Sequence, residues 1–344
     1  MKIIIASPTK VKTGGTELLH QLAYELNLMG IDTYIFYYNS YDNSPLNKSF
    51  DQYAIKYITN LAEYNNYNNV LIVPEIKTSL IYKYSNMQHM IWWLSVDNYI
   101  NNIYDKTDII YQILKNIVRR LLNRKMLNIK NLETPYNAFT FEKKDDKIIH
   151  LYQSYYALEF LNNHKIYNTY YLSDYINSIY LTNPLKVSKE NIVLYNPKKG
   201  KAFTKRIIKL SKDINWVPLI NLTNNEVKEL LFRSKVYIDF GNHPGKDRFP
   251  REAAACGCCI ITGRKGSAKN DKDIPIPLEF KLNDTIENIP NIIEKIKICL
   301  FDYDNQTNKF IEYRNYILNE QNSFKNDVYN IFNSYKENSE YAKE

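Results

Sequence analysis

The residues best placed to do chemistry form one run, His243-Pro244-Gly245-Lys246-Asp247-Arg248-Phe249-Pro250-Arg251-Glu252. It follows the β-formers Val236, Tyr237, Ile238 and Phe240 and the break Gly241-Asn242, and it leads into Ala253-Ala254-Ala255. The order reads as strand, charged loop, helix, and Pro250 suits a first helical turn, where a missing N–H leaves nothing unsatisfied. Lys246, Arg248 and Arg251 therefore cluster at a helix N-terminus. Backbone N–H groups, the positive end of the helix dipole and three cations are the chemistry of a phosphate or diphosphate site.

Three other loops have the same character. Asn196-Pro197-Lys198-Lys199-Gly200-Lys201 follows an apolar strand at 191–195, and open α/β sheets bind ligands at the carboxyl ends of their strands. Lys198 and Lys199 are candidates to hold a diphosphate, with Lys205 behind them, and a solvated turn is the competing reading. Gly263-Arg264-Lys265-Gly266-Ser267-Ala268 ends the strand after the Ala-rich helix, so Arg264, Gly266 and Ser267 are candidates for the same ligand. Thr13-Gly14-Gly15-Thr16-Glu17 joins a first strand to a first helix, where Gly14 and Gly15 let the backbone approach a ligand or simply make a tight turn. This loop lacks the spacing of the dinucleotide fingerprint, which disfavours NAD and FAD.

For acid or base work, Trp92-Trp93-Leu94-Ser95-Val96-Asp97-Asn98-Tyr99 is an apolar strand emerging into polar residues, with Asp97 where a cleft residue would sit. His20, His89, His150 and His164 are the histidines of that half, and a lone histidine is more often structural. Cys256, Cys258 and Cys259 lack a second Cys/His cluster to complete a metal site and read as small buried residues at a helix-to-strand turn.

The segment 236–268 closely resembles the donor-binding signature in the C-terminal domain of family-4-like (group 1) bacterial glycosyltransferases with the GT-B fold. The resemblance is strongest over 191–277 and recurs at 2–38, whereas 39–185 matches poorly. It implies an α/β protein of two facing Rossmann-like domains, with a C-terminal helix crossing back to the N-terminal domain. It also implies transfer of a sugar from a nucleotide-diphosphate sugar to the hydroxyl of a glycan or lipid-linked acceptor, without metal or other cofactor, in surface polysaccharide or glycolipid synthesis. Glu252 matches the glutamate that holds the ribose hydroxyls, and the alanines behind it let the helix pack close to the sheet. The family pattern has an earlier glutamate eight positions before, which falls here on Pro244, so His243, Lys246 or Asp247 would take over at the donor sugar. In the same resemblance Lys198, Lys199, Lys246 and Arg248 face the diphosphate, Arg264, Gly266 and Ser267 lie near the sugar or phosphate, and Gly14 and Gly15 line the donor or acceptor side. Asp97 and His243 are the candidate catalytic groups. Asp271-Lys272-Asp273 and Asp302-Tyr303-Asp304 imitate the Asp-x-Asp of single-domain glycosyltransferases but follow no suitable strand, and both read as surface loops. Two alternatives stay open, a sugar-nucleotide epimerase of the same fold and a non-catalytic binding or scaffold protein.

The elements that must position these residues follow from periodicity. At 344 residues the chain is long enough for two domains, expected at 1–185 and 186–310, with helices at 311–344. Strands at 2–6 and 33–38 flank a helix at 16–29, whose Leu18, Leu22, Leu26 and Met29 share one face, and more strands follow at 70–73, 90–94, 148–152 and 169–172. After a linker-like Asn183-Pro184 the alternation resumes with strands at 191–195, 216–219 and 236–240 and helices around 207–210 and 226–233. Between the two halves of the first alternation, a helix at 108–127 carries Ile110, Ile113, Leu114, Ile117, Val118, Leu121 and Leu122 on one face and Lys115, Arg119, Arg120, Arg124 and Lys125 on the other. Such a helix packs on its own domain or lies on an anionic membrane.

The hydrophobic fraction of 44% is that of a globular chain, and the net charge of +8 favours anionic partners. The 31 tyrosines accompany abundant Asn, Ile and Lys, a compositional bias without a ribonucleoprotein motif or basic tail, so nucleic acid is not expected. With neither a signal-like leader nor an apolar run of about 18 residues, the expected location is the cytoplasm, with membrane association through 108–127 as an addition.

Overall fold

Buried apolar strands alternating with amphipathic helices give two parallel sheets, each in its own packing unit. The computed structural model describes residues 1–9, 13–38, 48–102, 106–124, 138–182 and 187–341. The expected linker at Asn183-Pro184 and the basic helix from 125 onward lie outside the described residues.

The first unit comprises Met1–Tyr152, Phe160–Tyr171 and Val328–Glu344. Its strands are β1 (Ile3–Pro8), β2 (Thr33–Tyr38), β3 (Tyr57–Ile58), β4 (Val70–Pro74), β5 (Gln88–Trp93), β6 (Ile149–Tyr152) and β7 (Thr169–Tyr171). They pair in parallel in the order β3-β2-β1-β4-β5-β6-β7, so the direction of winding reverses between β1 and β4. Ile3, Ile4, Ile5 and Ala6 of the central strand are fully buried, as expected of a parallel strand covered on both faces. Helix α1 (Gly14–Leu28) buries Leu18, Leu22 and Leu26, and Thr13 caps it by accepting the Thr16 N–H at 3.3 Å. Short helices α2 (Ser79–Lys83) and α3 (Val96–Asn102) precede α4 (Lys106–Leu121).

The second unit comprises Gln153–Glu159 and Leu172–Asp327. Its strands β8 (Glu190–Tyr195), β9 (Asn215–Pro218), β10 (Ser234–Asp239) and β11 (Cys259–Thr262) run in parallel in the order β11-β10-β8-β9, and winding reverses between β8 and β10. Helices α6 (Lys201–Leu210), α7 (Asn224–Arg233), α8 (Arg248–Ala255), α9 (Ile289–Phe301) and α10 (Tyr303–Asn308) belong to this unit. The core centres on Val193, Leu194, Val236, Tyr237, Ile260 and Ile261, closed by Ile292, Ile296 and Phe280. The cysteines at 256, 258 and 259 are free and buried within it. Cys258 Sγ donates to the carbonyls of Leu231 and Ser234 at 3.2 Å.

The division differs from a single cut near 185. Gln153–Glu159, which includes the start of α5 (Tyr155–Asn163), goes with the second unit because Asp273 accepts the Tyr155 and Tyr156 N–H groups at 2.7 and 2.9 Å. That bonding also corrects the reading of Asp273 as a surface residue. It is 2% exposed, and burial pushes its carboxyl up to about 6. The segment after β7 joins the second unit through Ser173, whose N–H and hydroxyl donate to Asp327, and through Asp174. Helix α11 (Ile311–Tyr341) contributes its turns up to Asp327 to the second unit and those from Val328 on to the first.

Candidate functional site

In the second unit, the winding reversal leaves the carboxyl ends of β8 and β10 side by side, the place where open α/β sheets bind ligands. Two helices start there, α6 after β8 and α8 after β10. Neither has a side-chain cap: α6 begins from Gly200 in a left-handed conformation (φ 53°), and Asp247 at the start of α8 makes no capping bond. By contrast, α1 and α7 are closed by capping boxes at Thr13 and Thr223. Uncapped first turns present N–H groups and the positive ends of two helix dipoles to the same edge.

The two strand ends touch. A Cβ at Gly200 would stand 2.5 Å from the Phe240 carbonyl oxygen, and one at Gly241 would stand 2.5 Å from Lys199 Cβ. The loop after β11 is stitched on by a parallel bridge between His243 and Gly266. Ser267 N–H donates to the His243 carbonyl at 2.9 Å, and Ser267 Oγ donates to the Gly245 carbonyl at 2.5 Å. At Gly266 (φ +59°) a Cβ would stand 2.1 Å from the His243 oxygen. Gly266→Ala is therefore expected to separate the loops, costing about 1–3 kcal/mol from the backbone conformation alone. A fall in Tm together with weaker nucleotide binding would bear this out, and an unchanged melting curve would contradict it.

Within this edge Asp239, His243 and Asp247 bring three ligand atoms to within 4.8 Å of one another. His243 is fully buried, with Nδ1 2.7 Å from Asp247 Oδ2 and Nε2 3.6 Å from Asp239 Oδ1. The Lys199 ammonium pairs with Asp247 and stands 3.9 Å from Asp239, so a cation already lies among the carboxylates. Burial alone would raise the Asp247 carboxyl, but the His243 ring and Lys199 outweigh it and hold it below its ordinary value. Asp239 is further engaged by the Tyr237 hydroxyl at 3.1 Å and the Gly241 N–H at 3.1 Å.

Several expectations change here. Lys246 does not face an open phosphate site. It is 4% exposed, with Nζ 3.0 Å from Glu320 and 3.4 Å from Asp174. Arg251, 1% exposed, donates to Glu320 at 2.9 Å and Asp174 at 2.5 Å. These two cations are neutralised by two buried carboxylates distant in sequence. Burial would raise Asp174, but Arg251 and Lys246 bring it down to about 2. His243, read as a catalytic candidate, is enclosed between Asp239 and Asp247, which fits holding the loop better than touching a substrate. Lys199 is half-buried and shared with Asp247, whereas Lys198 is exposed and Arg248 half-buried at the first residue of α8. Glu252 is 8% exposed on α8, between Arg251 and the buried Ala253 and Ala254. Arg264 is exposed, its Nε donating to the Lys281 carbonyl at 2.9 Å.

Gly14, Gly15 and Asp97 stand in the first unit. Gly14 and Gly15 open α1, where a Cβ at Gly15 would meet Leu94 at 3.5 Å, and Asp97 lies half-buried in the first turn of α3. The four histidines of that unit have local partners. His20 bonds the Thr16 carbonyl and Tyr37 hydroxyl, His150 accepts the Trp93 indole N–H at 2.9 Å, and His89 and His164 bond the carbonyls of Tyr84 and Phe160. What sequence reasoning missed in this unit is Glu75, buried directly after β4. The usable signal was an acidic residue closing an apolar strand, Val70-Leu71-Ile72-Val73-Pro74-Glu75.

No family model matches the chain, and no curated protein matches it. Solved structures do. HepE of Anabaena bound to UDP-glucose aligns with a TM-score of 0.61 at 10% identity over 97% of this chain and 100% of HepE. A glycosyltransferase of Rickettsia africae aligns with a TM-score of 0.59 at 16% identity over 98% of both chains. Sucrose-phosphate synthase of Thermosynechococcus elongatus gives 0.59 at 13% identity over 98% of both. At such identities the likeness establishes the fold: this chain has the GT-B fold of these glycosyltransferases.

Proposed function

We propose that the protein is a glycosyltransferase that moves a sugar from a nucleotide-diphosphate sugar to a hydroxyl acceptor in glycan or glycolipid synthesis. The observation that carries this is the pair of uncapped helix N-termini at the β8/β10 edge, with Lys198 in the loop before α6 and Arg248 and Glu252 on α8 itself. The likeness to HepE in complex with UDP-glucose, and to HepE in complex with UDP, supports a nucleotide-sugar donor. In this reading the N–H groups opening α6 and α8, with Lys198 and Arg248, stabilise the charge that grows on the departing diphosphate, and Glu252 holds the ribose. Lys199 and His243 act from behind, fixing Asp247 and with it the start of α8.

The reaction runs without a metal. The support is Lys199, whose ammonium already neutralises the carboxylates that come nearest to metal-ligand geometry among the described residues. Incubating the purified chain with labelled UDP-, GDP-, ADP- and CDP-sugars, EDTA and a panel of alkyl glycosides tests the reading. Label appearing in a glycoside supports it, label appearing only in an isomerised donor makes the protein an epimerase, and no conversion with any donor leaves a binding role.

We further propose that α4 rests on an anionic membrane. Among the described residues Leu114, Ile117, Val118 and Leu121 are 51–80% exposed, so this apolar face is not covered by its own unit as an ordinary surface helix would be. Lys115, Arg119 and Arg120 lie on the same helix. No helix among the described residues is long and apolar enough to cross a membrane, so the contact would be interfacial. Ile117→Asp with Leu121→Asp is expected to reduce co-sedimentation with phosphatidylglycerol vesicles at least about tenfold. Equal sedimentation of variant and parent would contradict the contact.

A further inference from the structure

Helix α9 leaves one of its faces open. Ile292, Ile296, Cys299 and Leu300 are buried in the core of the second unit, while along another side of the helix runs a groove of about 720 Å³ that reaches the end of α6. Its walls are mostly apolar, with Pro290, Ile293, Ile298 and Phe301 from α9 and Leu210 from the last position of α6. Phe301 is 79% exposed and Leu210 65%, so two large side chains stand in water beside a hollow that could hold them. All of these residues belong to the second unit, and none lies at the β8/β10 edge.

Two charges interrupt the apolar lining along α9, Glu294 and Lys297. Glu294 is exposed and makes no ion pair among the described residues. Lys297 pairs with Asp213 at 2.7 Å on the surface, and an ammonium has three donors, so it can serve a second carboxylate as well. The order of residues along this face reads the same from both ends. Pro290, Glu294, Lys297 and Phe301 follow at intervals of four, three and four, the spacing that forms the seam between paired helices, and Ile293 and Ile298 flank its middle.

A second α9 laid antiparallel on the first, about a two-fold axis between positions 295 and 296, brings position 290 against 301 of the other copy, 293 against 298 and 294 against 297. Apolar side chains then meet apolar ones at both ends, and Glu294 meets Lys297 twice. A parallel arrangement would set each charge against its own like. We propose that the protein forms a symmetric dimer through α9, in which Phe301 of each copy enters the groove of the other. The seam is about 17 Å long, which makes a small interface, and a dissociation constant of roughly 1–100 μM is expected. The proposal does not depend on the transferase reading.

Sedimentation velocity of the full chain between about 1 and 200 μM reads the association directly. The parent protein is expected to pass from monomer to dimer over that range. Glu294→Lys and Lys297→Glu each set like charges against one another twice, and each is expected to weaken self-association at least about tenfold. An equimolar mixture of those two variants opposes a cation with an anion at both contacts, and it is expected to dimerise within about threefold of the parent affinity. Phe301→Ser removes the apolar end contacts and is expected to cost at least about tenfold as well. These side chains lie at the surface, so the variants are expected to keep the parent melting temperature. A parent protein that stays monomeric to about 200 μM, charge variants that dimerise as the parent does, or a mixture that recovers nothing would each overturn the proposal. It is also overturned if the parent stays monomeric and sediments with phosphatidylglycerol vesicles in a way that Phe301→Ser abolishes, because the face then belongs to a lipid surface.

Discussion

Glu252→Gln is expected to weaken binding of the cognate nucleoside diphosphate by roughly 10- to 100-fold and to leave the melting temperature nearly unchanged. Two ribose hydroxyls donating to one carboxylate form charge-assisted hydrogen bonds worth about 1.5–3 kcal/mol, which the neutral amide cannot reproduce. The position is held firmly. Ala253 and Ala254 are fully buried, and the Cys256 N–H donates to the Glu252 carbonyl at 3.0 Å, so α8 carries the side chain to one place at the sheet edge. Glutamine has nearly the same volume and keeps one acceptor, so packing around an 8% exposed residue changes little. Isothermal titration calorimetry on both proteins reads the effect. Equal affinity would remove Glu252 from the nucleotide site.

The second large effect is on stability. Arg251→Met is expected to lower Tm by on the order of 10 °C. The four buried groups Asp174, Lys246, Arg251 and Glu320 balance two positive charges against two negative ones. Removing Arg251 leaves two carboxylates facing one ammonium, and stranding a buried charge costs about 3–5 kcal/mol, with each kcal/mol worth roughly 2–4 °C in a unit of this size. Arg251 also donates to the Lys246 and Asp247 carbonyls at 3.0 and 3.2 Å, so the loop that opens α8 loosens as well. Adding Glu320→Gln restores the charge balance, and the double variant is expected to recover part of the loss, which is the signature of directly coupled residues. Differential scanning calorimetry of the two single variants and the double measures the coupling. Strictly additive losses would mean that the four charges do not act as one cluster.

The cluster also sets an acid limit. Asp174 titrates at about 2 when folded and near 3.8 unfolded, so its stabilisation is complete above roughly pH 4 and is lost as pH falls toward 2. Glu75 and Asp273 have the opposite sign. Their folded values, about 7 and about 6, lie above the unfolded ones, so their contribution is full at low pH and is lost as pH rises through those values.

The alternation of elements was legible because each strand is a short apolar run and each helix buries one face. Ile3-Ile4-Ile5-Ala6, Val70-Leu71-Ile72-Val73 and Val236-Tyr237-Ile238 all sit in sheets. The β8/β10 edge was legible because its glycines and lysines follow strands at short range, and Gly200, Gly241 and Gly266 are where neighbouring backbones come closest. Charge pairing was not. Lys246 and Arg251 read as phosphate ligands because their neutralising carboxylates lie 69 to 77 residues from Arg251, and local spacing carries no sign of them. Asp273 read as a loop residue for the same reason, since it bonds N–H groups 117 and 118 residues away. Glu75 escaped notice because one acidic residue after a strand looks like a solvated turn. Only the sheet order, which puts β4 beside β1, gives it a special position.

The most direct measurement is calorimetric titration of the full chain, with EDTA present, against UDP, GDP, CDP and ADP and their common sugars. Tight binding of one nucleotide, weakened by Glu252→Gln and indifferent to EDTA, is the expected result and would identify the donor class. If none of the nucleotides or their sugars binds, the β8/β10 edge is not a donor site and the transferase reading fails.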